Sequence, residues 1–133
     1  SDPFTKIRKF HAGMDFSART GTPIYATGDG VVAVADNRMS GYGNRIVIRH
    51  GFGYGTLYAH LSKYKAKAGQ RVKRGDVIGY VGSTGRSEAP HLHYEVRKNG
   101  EVINPINFYY GNISAKEYIL ISKLANQENQ SLD

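Results

Sequence analysis

Short alternating segments of apolar and polar residues, separated by glycine-rich turn signals, most constrain what this chain can fold into. Sixteen glycines are spread over 133 residues, and 40% of all residues are hydrophobic. A period of two places every second side chain on one face of a β-strand, whereas the repeat of a helix is about 3.6 residues. Alternation or short apolar runs occur at 31–35, 45–49, 56–59, 77–81 and 92–97. The pattern predicts an all-β core.

Turn signals between these segments favour antiparallel pairing. Asp29-Gly30 and Asn99-Gly100 separate candidate strands, and the second pair is typical of a two-residue hairpin. The spacing of Gly69, Val72 and Gly75 resembles the turns of lipoyl-like barrels. We therefore expect an antiparallel, partly closed sheet of the lipoyl-like or barrel-sandwich type, with a narrow groove.

The segment His91-Leu92-His93 carries the clearest chemical signal. On a strand, His91, His93 and Glu95 share one face, while Leu92, Tyr94 and Val96 share the other. Two imidazoles one residue apart suit one metal ion, and the opposite face suits the core. The spacing leaves open which of the two histidines binds the metal and which acts as an acid or base.

A similar alternation runs from Phe10 to Phe16 and places His11 and Asp15 on one face. A fully extended strand would separate their Cα atoms by about 13 Å, near the limit for two ligands of one ion. We therefore expect the chain to bend between them at Gly13, where no side chain opposes the bend.

A donor set of histidine, aspartate and histidine is typical of catalytic zinc. Three such ligands leave the fourth tetrahedral position open, and the ion lowers the pKa of bound water from 15.7 to about 7. The chain has no cysteine, which excludes thiolate ligands and a cysteine nucleophile. A zinc hydrolase is the interpretation that this donor set favours.

Seven sequence blocks, in order from about residue 9 to residue 105, resemble the lysostaphin-type zinc metallopeptidases. They are His11-x-x-x-Asp15, Gly21-Thr22-Pro23-Ile24-Tyr25-Ala26, Asp29-Gly30-x-Val32, Gly41-Tyr42-Gly43-Asn44, Tyr58-Ala59-His60-Leu61, Gly79-x-Val81-Gly82-Ser83-Thr84-Gly85-Arg86 and Pro90-His91-Leu92-His93-x-Glu95. The resemblance implies that His11, Asp15 and His93 bind Zn²⁺ and that His60 and His91 are catalytic. It also implies hydrolysis of peptide bonds in bacterial peptidoglycan, in stem-peptide crosslinks or in cross-bridges.

The implied mechanism gives different work to the two catalytic histidines. His91 would act as general base toward a metal-activated water, and His60 would help stabilise the developing negative charge. Glu95 would either orient a histidine or form a solvated pair across two strands. We expect His50, which lacks a comparable partner, to be structural or a surface residue.

Beyond Pro105 the pattern changes. Ser114 to Glu117 is a capping box that precedes apolar residues at helical spacing. We predict a catalytic domain over 1–110, a C-terminal helix over 111–126 and a disordered tail over 127–133. The chain has no initiator methionine, signal peptide or apolar spanning segment, so we expect an excised domain whose membrane attachment, if any, lies in a missing N-terminal segment.

The net charge of +7 favours anionic polymers, among which peptidoglycan peptides fit the site. No nucleic-acid motif accompanies the ten tyrosines, so nucleic acid is not an expected partner. The resemblance implies an extracytoplasmic location, and we expect a monomer. A non-catalytic peptidoglycan-binding or regulatory domain on the same fold is the alternative; such relatives generally lack some ligands or catalytic histidines, and this chain has all five.

Overall fold

The computed structural model describes the backbone of residues 4–10, 13–38, 41–85, 89–103, 109–110 and 113–114, and the side chains of residues 13–38, 41–85 and 89–103. The strands are β1 (Phe4–Phe10), β2 (Gly13–Ala18), β3 (Pro23–Tyr25), β4 (Gly30–Arg38), β5 (Gly43–Gly51), β6 (Tyr54–Tyr64), β7 (Arg71–Val72), β8 (Val77–Val81), β9 (His91–Lys98), β10 (Glu101–Ile103), β11 (Tyr109–Tyr110) and β12 (Ile113–Ser114). The five predicted segments lie within β4, β5, β6, β8 and β9.

Ten of these strands form one antiparallel sheet. Its main order is β1-β2-β9-β6-β5-β4-β7, with β10 beside β9 and with β8 pairing both β6 and β3. In the described part of the chain, the end strands β1 and β7 do not pair with each other, so the sheet is open. The prediction of an antiparallel all-β fold is confirmed.

The hairpin predicted at Asn99-Gly100 joins β9 to β10. Lys98 pairs with Glu101 across the turn, and the φ angles of Asn99 and Gly100 are 51° and 85°. Positive φ at both central residues is the geometry for which Asn-Gly is preferred. The turn therefore forms for the reason that the sequence indicated.

The segment from Phe10 to Phe16 is not one bent strand, contrary to the sequence prediction. It divides into β1 and β2, which pair antiparallel with Phe10 opposite Gly13. Gly13 has a φ of 141°, and a Cβ there would lie 2.5 Å from the carbonyl oxygen of Tyr94. Because Phe10 pairs with Gly13 and not with Met14, the period of two that the sequence shows from Phe10 to Phe16 is interrupted between the two strands. His11 lies outside the described residues.

The core lies on the face of β9 that the sequence predicted. Leu92 is 2% exposed, and Tyr94 and Val96 are 0% exposed. Large apolar side chains from β2, β3, β4, β5, β6 and β8 belong to the same cluster: Met14, Phe16, Ile24, Val32, Ile46, Ile48, Tyr58, Leu61, Ile78 and Val81.

One polar group bridges two tyrosines inside this core. The Oγ1 atom of Thr27 lies 2.9 Å from the hydroxyls of both Tyr58 and Tyr94. The backbone N–H of Thr27 also donates to the Tyr58 hydroxyl at 3.1 Å. Because buried hydroxyls need partners, this bridge lets two large tyrosines pack in an apolar interior.

The C-terminal predictions fall mostly on residues that the structure does not describe. Ile113–Ser114 pairs antiparallel with Tyr109–Tyr110, so residues 113 and 114 of the predicted 111–126 segment form a strand. Residues 115–126, with the predicted helix, and the tail at 127–133 lie outside the described residues. Among the described residues there is no helix long and apolar enough to cross a bilayer.

Candidate functional site

Strand register brings the predicted site residues of β2, β9 and β6 together. Asp15 on β2 pairs directly with His93 on β9, and His93 pairs with Ala59, next to His60 on β6. His91 lies two residues along the same face of β9. Residues distant in sequence thus become neighbours because β9 lies between β2 and β6.

His60 lies where β6 changes partner. Up to Ala59 the strand pairs with β9, and from Leu61 it pairs with β8. His60 itself has a φ of 64°, a left-handed conformation that is uncommon for a residue with a side chain. Its backbone N–H donates to the carbonyl of Tyr42 at 2.7 Å, which fixes this bend.

The centre of the site is the contact between Asp15 and His93. Nδ1 of His93 lies 2.9 Å from Oδ1 of Asp15, and Nε2 lies 2.8 Å from Oε2 of Glu95. Burial lowers the pKa of His93, but the hydrogen bonds to the two carboxylates outweigh burial and raise the pKa to about 9. The imidazole is thus held between two negative groups.

Glu95 is the buried member of this cluster, with 2% of its surface exposed. It accepts hydrogen bonds from Arg97 on Oε1, at 2.7 and 3.0 Å, and from the Tyr42 hydroxyl on Oε2, at 2.8 Å. Burial raises the pKa of Glu95, but the hydrogen bonds from His93, Arg97 and Tyr42 hold it below its usual value. Of the two predicted roles, orienting a histidine is the one that this geometry supports.

The rings of His60 and His91 lie side by side, with centroids 4.7 Å apart. Each ring is within hydrogen-bond distance of a backbone carbonyl through Nδ1: His60 with Thr84 at 2.7 Å and His91 with Ala89 at 2.9 Å. A carbonyl only accepts, so Nδ1 carries the proton and neutral imidazole has its lone pair on Nε2. Burial lowers the pKa of His60, which favours this neutral form.

His50 lies outside the cluster of His60, His91 and His93. The ring nitrogens of His50 lie 2.7 Å from the carbonyl of Asp29 and 2.7 Å from Oγ1 of Thr56. These contacts tie β5 to β6 and to the turn before β4, as expected for a structural residue.

The sequence reasoning gave no role to Tyr42 or Arg97, both of which contact Glu95. Arg97 continues the alternation of His93 and Glu95 on one face of β9, which was an available signal. Tyr42 lies between two glycines, in a sequence block that carries the family resemblance but no local signal for a site residue. It lines a small open pocket of about 230 Å³ with Gly41, His60 and His93.

The donors present fit a metal ion in part. Within residues 13–38, 41–85 and 89–103, no group of three or more histidine, aspartate, glutamate or cysteine side chains is arranged to hold one, and the third expected ligand, His11, is not described. Asp15 Oδ1 and His93 Nδ1, 2.9 Å apart, are close to the roughly 3.3 Å between neighbouring tetrahedral zinc ligands at about 2.0 Å. Glu95 on the other ring nitrogen is the usual support of a metal-binding histidine.

An open antiparallel sheet that gathers histidines and carboxylates on one face defines the class of this protein as a β-sheet domain with a candidate hydrolytic centre. Residues 9–105 match the model of Peptidase family M23. The chain belongs to that family, and the predicted resemblance is confirmed.

Relatives and solved structures agree with this assignment. The chain is 49% identical over 102 residues to the peptidoglycan DD-endopeptidase ShyA of Vibrio cholerae, covering 77% of this chain and 24% of the relative. The catalytic domain of lysostaphin from Staphylococcus simulans has a TM-score of 0.67 and 39% identity, over 73% of this chain and 77% of that one. A zinc-containing peptidase from Vibrio cholerae has a TM-score of 0.71 and 38% identity, over 84% and 36%.

The chain spans about a quarter of the length of the curated relatives it matches.

Proposed function

We propose that this chain is a zinc-dependent peptidase domain that cleaves peptide bonds of bacterial peptidoglycan outside the cytoplasm. The observation that carries the proposal is the contact between Asp15 and His93 beside two further histidines, in a member of Peptidase family M23. Similarity to a DD-endopeptidase at 49% identity favours the crosslinked stem peptide over a cross-bridge as substrate.

Three side chains would hold the ion in this proposal. Asp15 and His93 supply two donors that already lie together, and His11 supplies the third. Zinc bound there would supply Lewis acidity, which activates water and polarises the scissile carbonyl. Glu95 would fix the ring of His93, because an ionised carboxylate only accepts and therefore keeps a proton on Nε2.

The remaining histidines would move protons. Nε2 of His91 lies 3.7 Å from Oδ1 of Asp15, so it faces the donors of the site. We assign His91 as the general base that takes the proton of the attacking water. His60 can donate from Nε2 only after it gains a proton, and in that form it would stabilise the oxyanion or protonate the leaving amine.

Digestion of purified peptidoglycan, with and without a chelator, tests the proposal. Mass spectrometry of the soluble fragments identifies the bond, because cleavage of a stem-peptide crosslink and cleavage of a cross-bridge leave different peptides. We expect crosslinked dimers to become monomers only when zinc is present. Binding of peptidoglycan without any new fragment would show a non-catalytic binding domain instead.

Substitution separates metal binding from proton transfer. His93→Ala should lose both zinc and activity, whereas His91→Ala should keep zinc and lose on the order of 10²–10⁴-fold in rate. His50→Gln is the matched control and should retain both, because His50 lies outside the cluster. Equal loss of zinc in the His91 and His93 variants would contradict the assignment of roles.

A further inference from the structure

We propose that Tyr42 is a positioning residue of the site: its hydroxyl donates a hydrogen bond to Glu95 and thereby fixes the ring of His93. The inference rests on the proposed function, since the orientation of His93 matters most if that residue binds a metal. It assigns a role to the glycine-flanked block 41–44, which neither the sequence nor the family assignment explained.

The Tyr42 hydroxyl both donates and accepts a hydrogen bond inside this network. It donates to Oε2 of Glu95 at 2.8 Å and accepts from the guanidinium of Arg97 at 3.1 Å. Arg97 in turn donates twice to the other oxygen, Oε1, of the same carboxylate. Each residue thus restrains the next one, so the hydroxyl has one preferred direction.

One oxygen of the Glu95 carboxylate, Oε2, is the hydrogen-bond acceptor for both Tyr42 and His93. Oε2 of Glu95 lies 2.8 Å from the Tyr42 hydroxyl and 2.8 Å from Nε2 of His93. Without the hydroxyl, the carboxylate would keep its hydrogen bonds from Arg97 on Oε1, but Oε2 could rotate away from its present position. The position of Oε2, and with it the direction of the His93 ring, depends on Tyr42.

The ring of Tyr42 restrains His93 from a second direction. The two rings are stacked, with centroids 5.9 Å apart and an interplanar angle of 23°. Tyr42 and His93 both line the pocket of about 230 Å³ beside His60. A phenylalanine in place of Tyr42 would keep this stacking, so the hydroxyl can be tested by itself.

The backbone of Tyr42 is anchored on the catalytic side of the site. Its carbonyl accepts the N–H of His60 at 2.7 Å, and the adjoining residue Gly43 packs against Thr84 so closely that a Cβ there would lie 2.4 Å from the backbone. The loop that carries Tyr42 is thus fixed against β6 and the 82–85 turn. A rigid support is what a positioning residue needs.

The test is Tyr42→Phe, with Tyr54→Phe as the matched control. Tyr54 lies at the start of β6, six residues before His60 and therefore about 20 Å along the strand. Competition with a chromogenic chelator gives the zinc dissociation constant of each protein. We expect Tyr42→Phe to weaken zinc binding by about 10–100-fold and Tyr54→Phe to leave it unchanged.

A second measurement on the metal-free protein separates this inference from the proposed function. In ¹⁵N-histidine spectra, the Nε2 proton of His93 should be visible in the wild type, because Glu95 holds it, and broadened by exchange in Tyr42→Phe. Unchanged zinc affinity together with an unchanged proton signal would overturn the role of Tyr42. A wild type that neither binds zinc nor releases peptidoglycan fragments would refute the proposed function, and the proton signal would still decide the positioning role.

Discussion

Removal of one buried hydroxyl, in Thr27→Val, should destabilise the fold by about 2–4 kcal/mol. In the described part of the chain, Thr27 Oγ1 is the hydrogen-bond partner of the Tyr94 hydroxyl, and Tyr94 is 0% exposed. An unsatisfied buried hydroxyl costs about 1–3 kcal/mol, and the lost bond to Tyr58 adds about 1 kcal/mol. Valine matches threonine in shape, so packing changes little.

A double-mutant cycle isolates this effect. Tyr94→Phe alone should cost about 1 kcal/mol, because the Thr27 hydroxyl keeps its contact with Tyr58. In the Tyr94→Phe background, Thr27→Val should then cost only about 1 kcal/mol, since no orphaned hydroxyl remains at residue 94. The difference between the two backgrounds is the coupling energy of the pair.

Urea unfolding followed by far-UV circular dichroism measures these free energies of unfolding. Thr22→Val is the control, because Thr22 donates to the carbonyl of Arg19 in an exposed contact where water can replace it. We expect the control to change stability by less than about 1 kcal/mol. Equal costs of Thr27→Val with tyrosine and with phenylalanine at residue 94 would show that an orphaned Tyr94 hydroxyl is not the cause of the lost stability.

Three further predictions concern other parts of the fold. Gly13→Ala should destabilise more than Gly69→Ala in urea unfolding, since both have positive φ but only a Cβ at Gly13 would collide with Tyr94. Burial holds the pKa of His50 below 6.5, so the contribution of neutral His50 to folding stability should be present above pH 6.5 and lost as pH falls through the folded-state pKa. The free energy of unfolding, measured over a pH series, should therefore depend less on pH in His50→Gln than in the wild type. Ile48→Ala, at a 0% exposed position, should cost about 2–5 kcal/mol in the same assay, and Ile48→Val about 0.5–1.5 kcal/mol.

The strands could be predicted because their determinants are local. Alternation in 92–97 assigns Leu92, Tyr94 and Val96 to the core, and the structure buries all three. The Asn99-Gly100 turn is likewise determined by two adjacent residues. The separation of β1 from β2 was not predicted because the residues from Phe10 to Phe16 alternate like one strand, whereas the pairing of Phe10 with Gly13 depends on how the chain reverses.

The site was only partly accessible from sequence. The shared face of His91, His93 and Glu95 follows from the period of a strand, but the contact of His93 with Asp15 depends on the pairing of β9 with β2. Tyr42 reaches Glu95 from the segment between β4 and β5, two strands that do not carry Asp15 or His93. Long-range pairing of this kind has no signature in the local pattern, which is why the role of Tyr42 required the structure.

The change of partner along β6 bears on how sequence changes in one half of the sheet affect the site. Upstream of His60 the strand belongs to the half of the sheet that carries Asp15 and His93, and downstream it belongs to the half built by β8 and β3. Substitutions in the loops of the second half leave the pairing of Asp15 with His93 intact, because that pairing joins β2 to β9 in the first half. Under the proposed function, such changes would alter which peptide the site accepts while Asp15 and His93 keep their register.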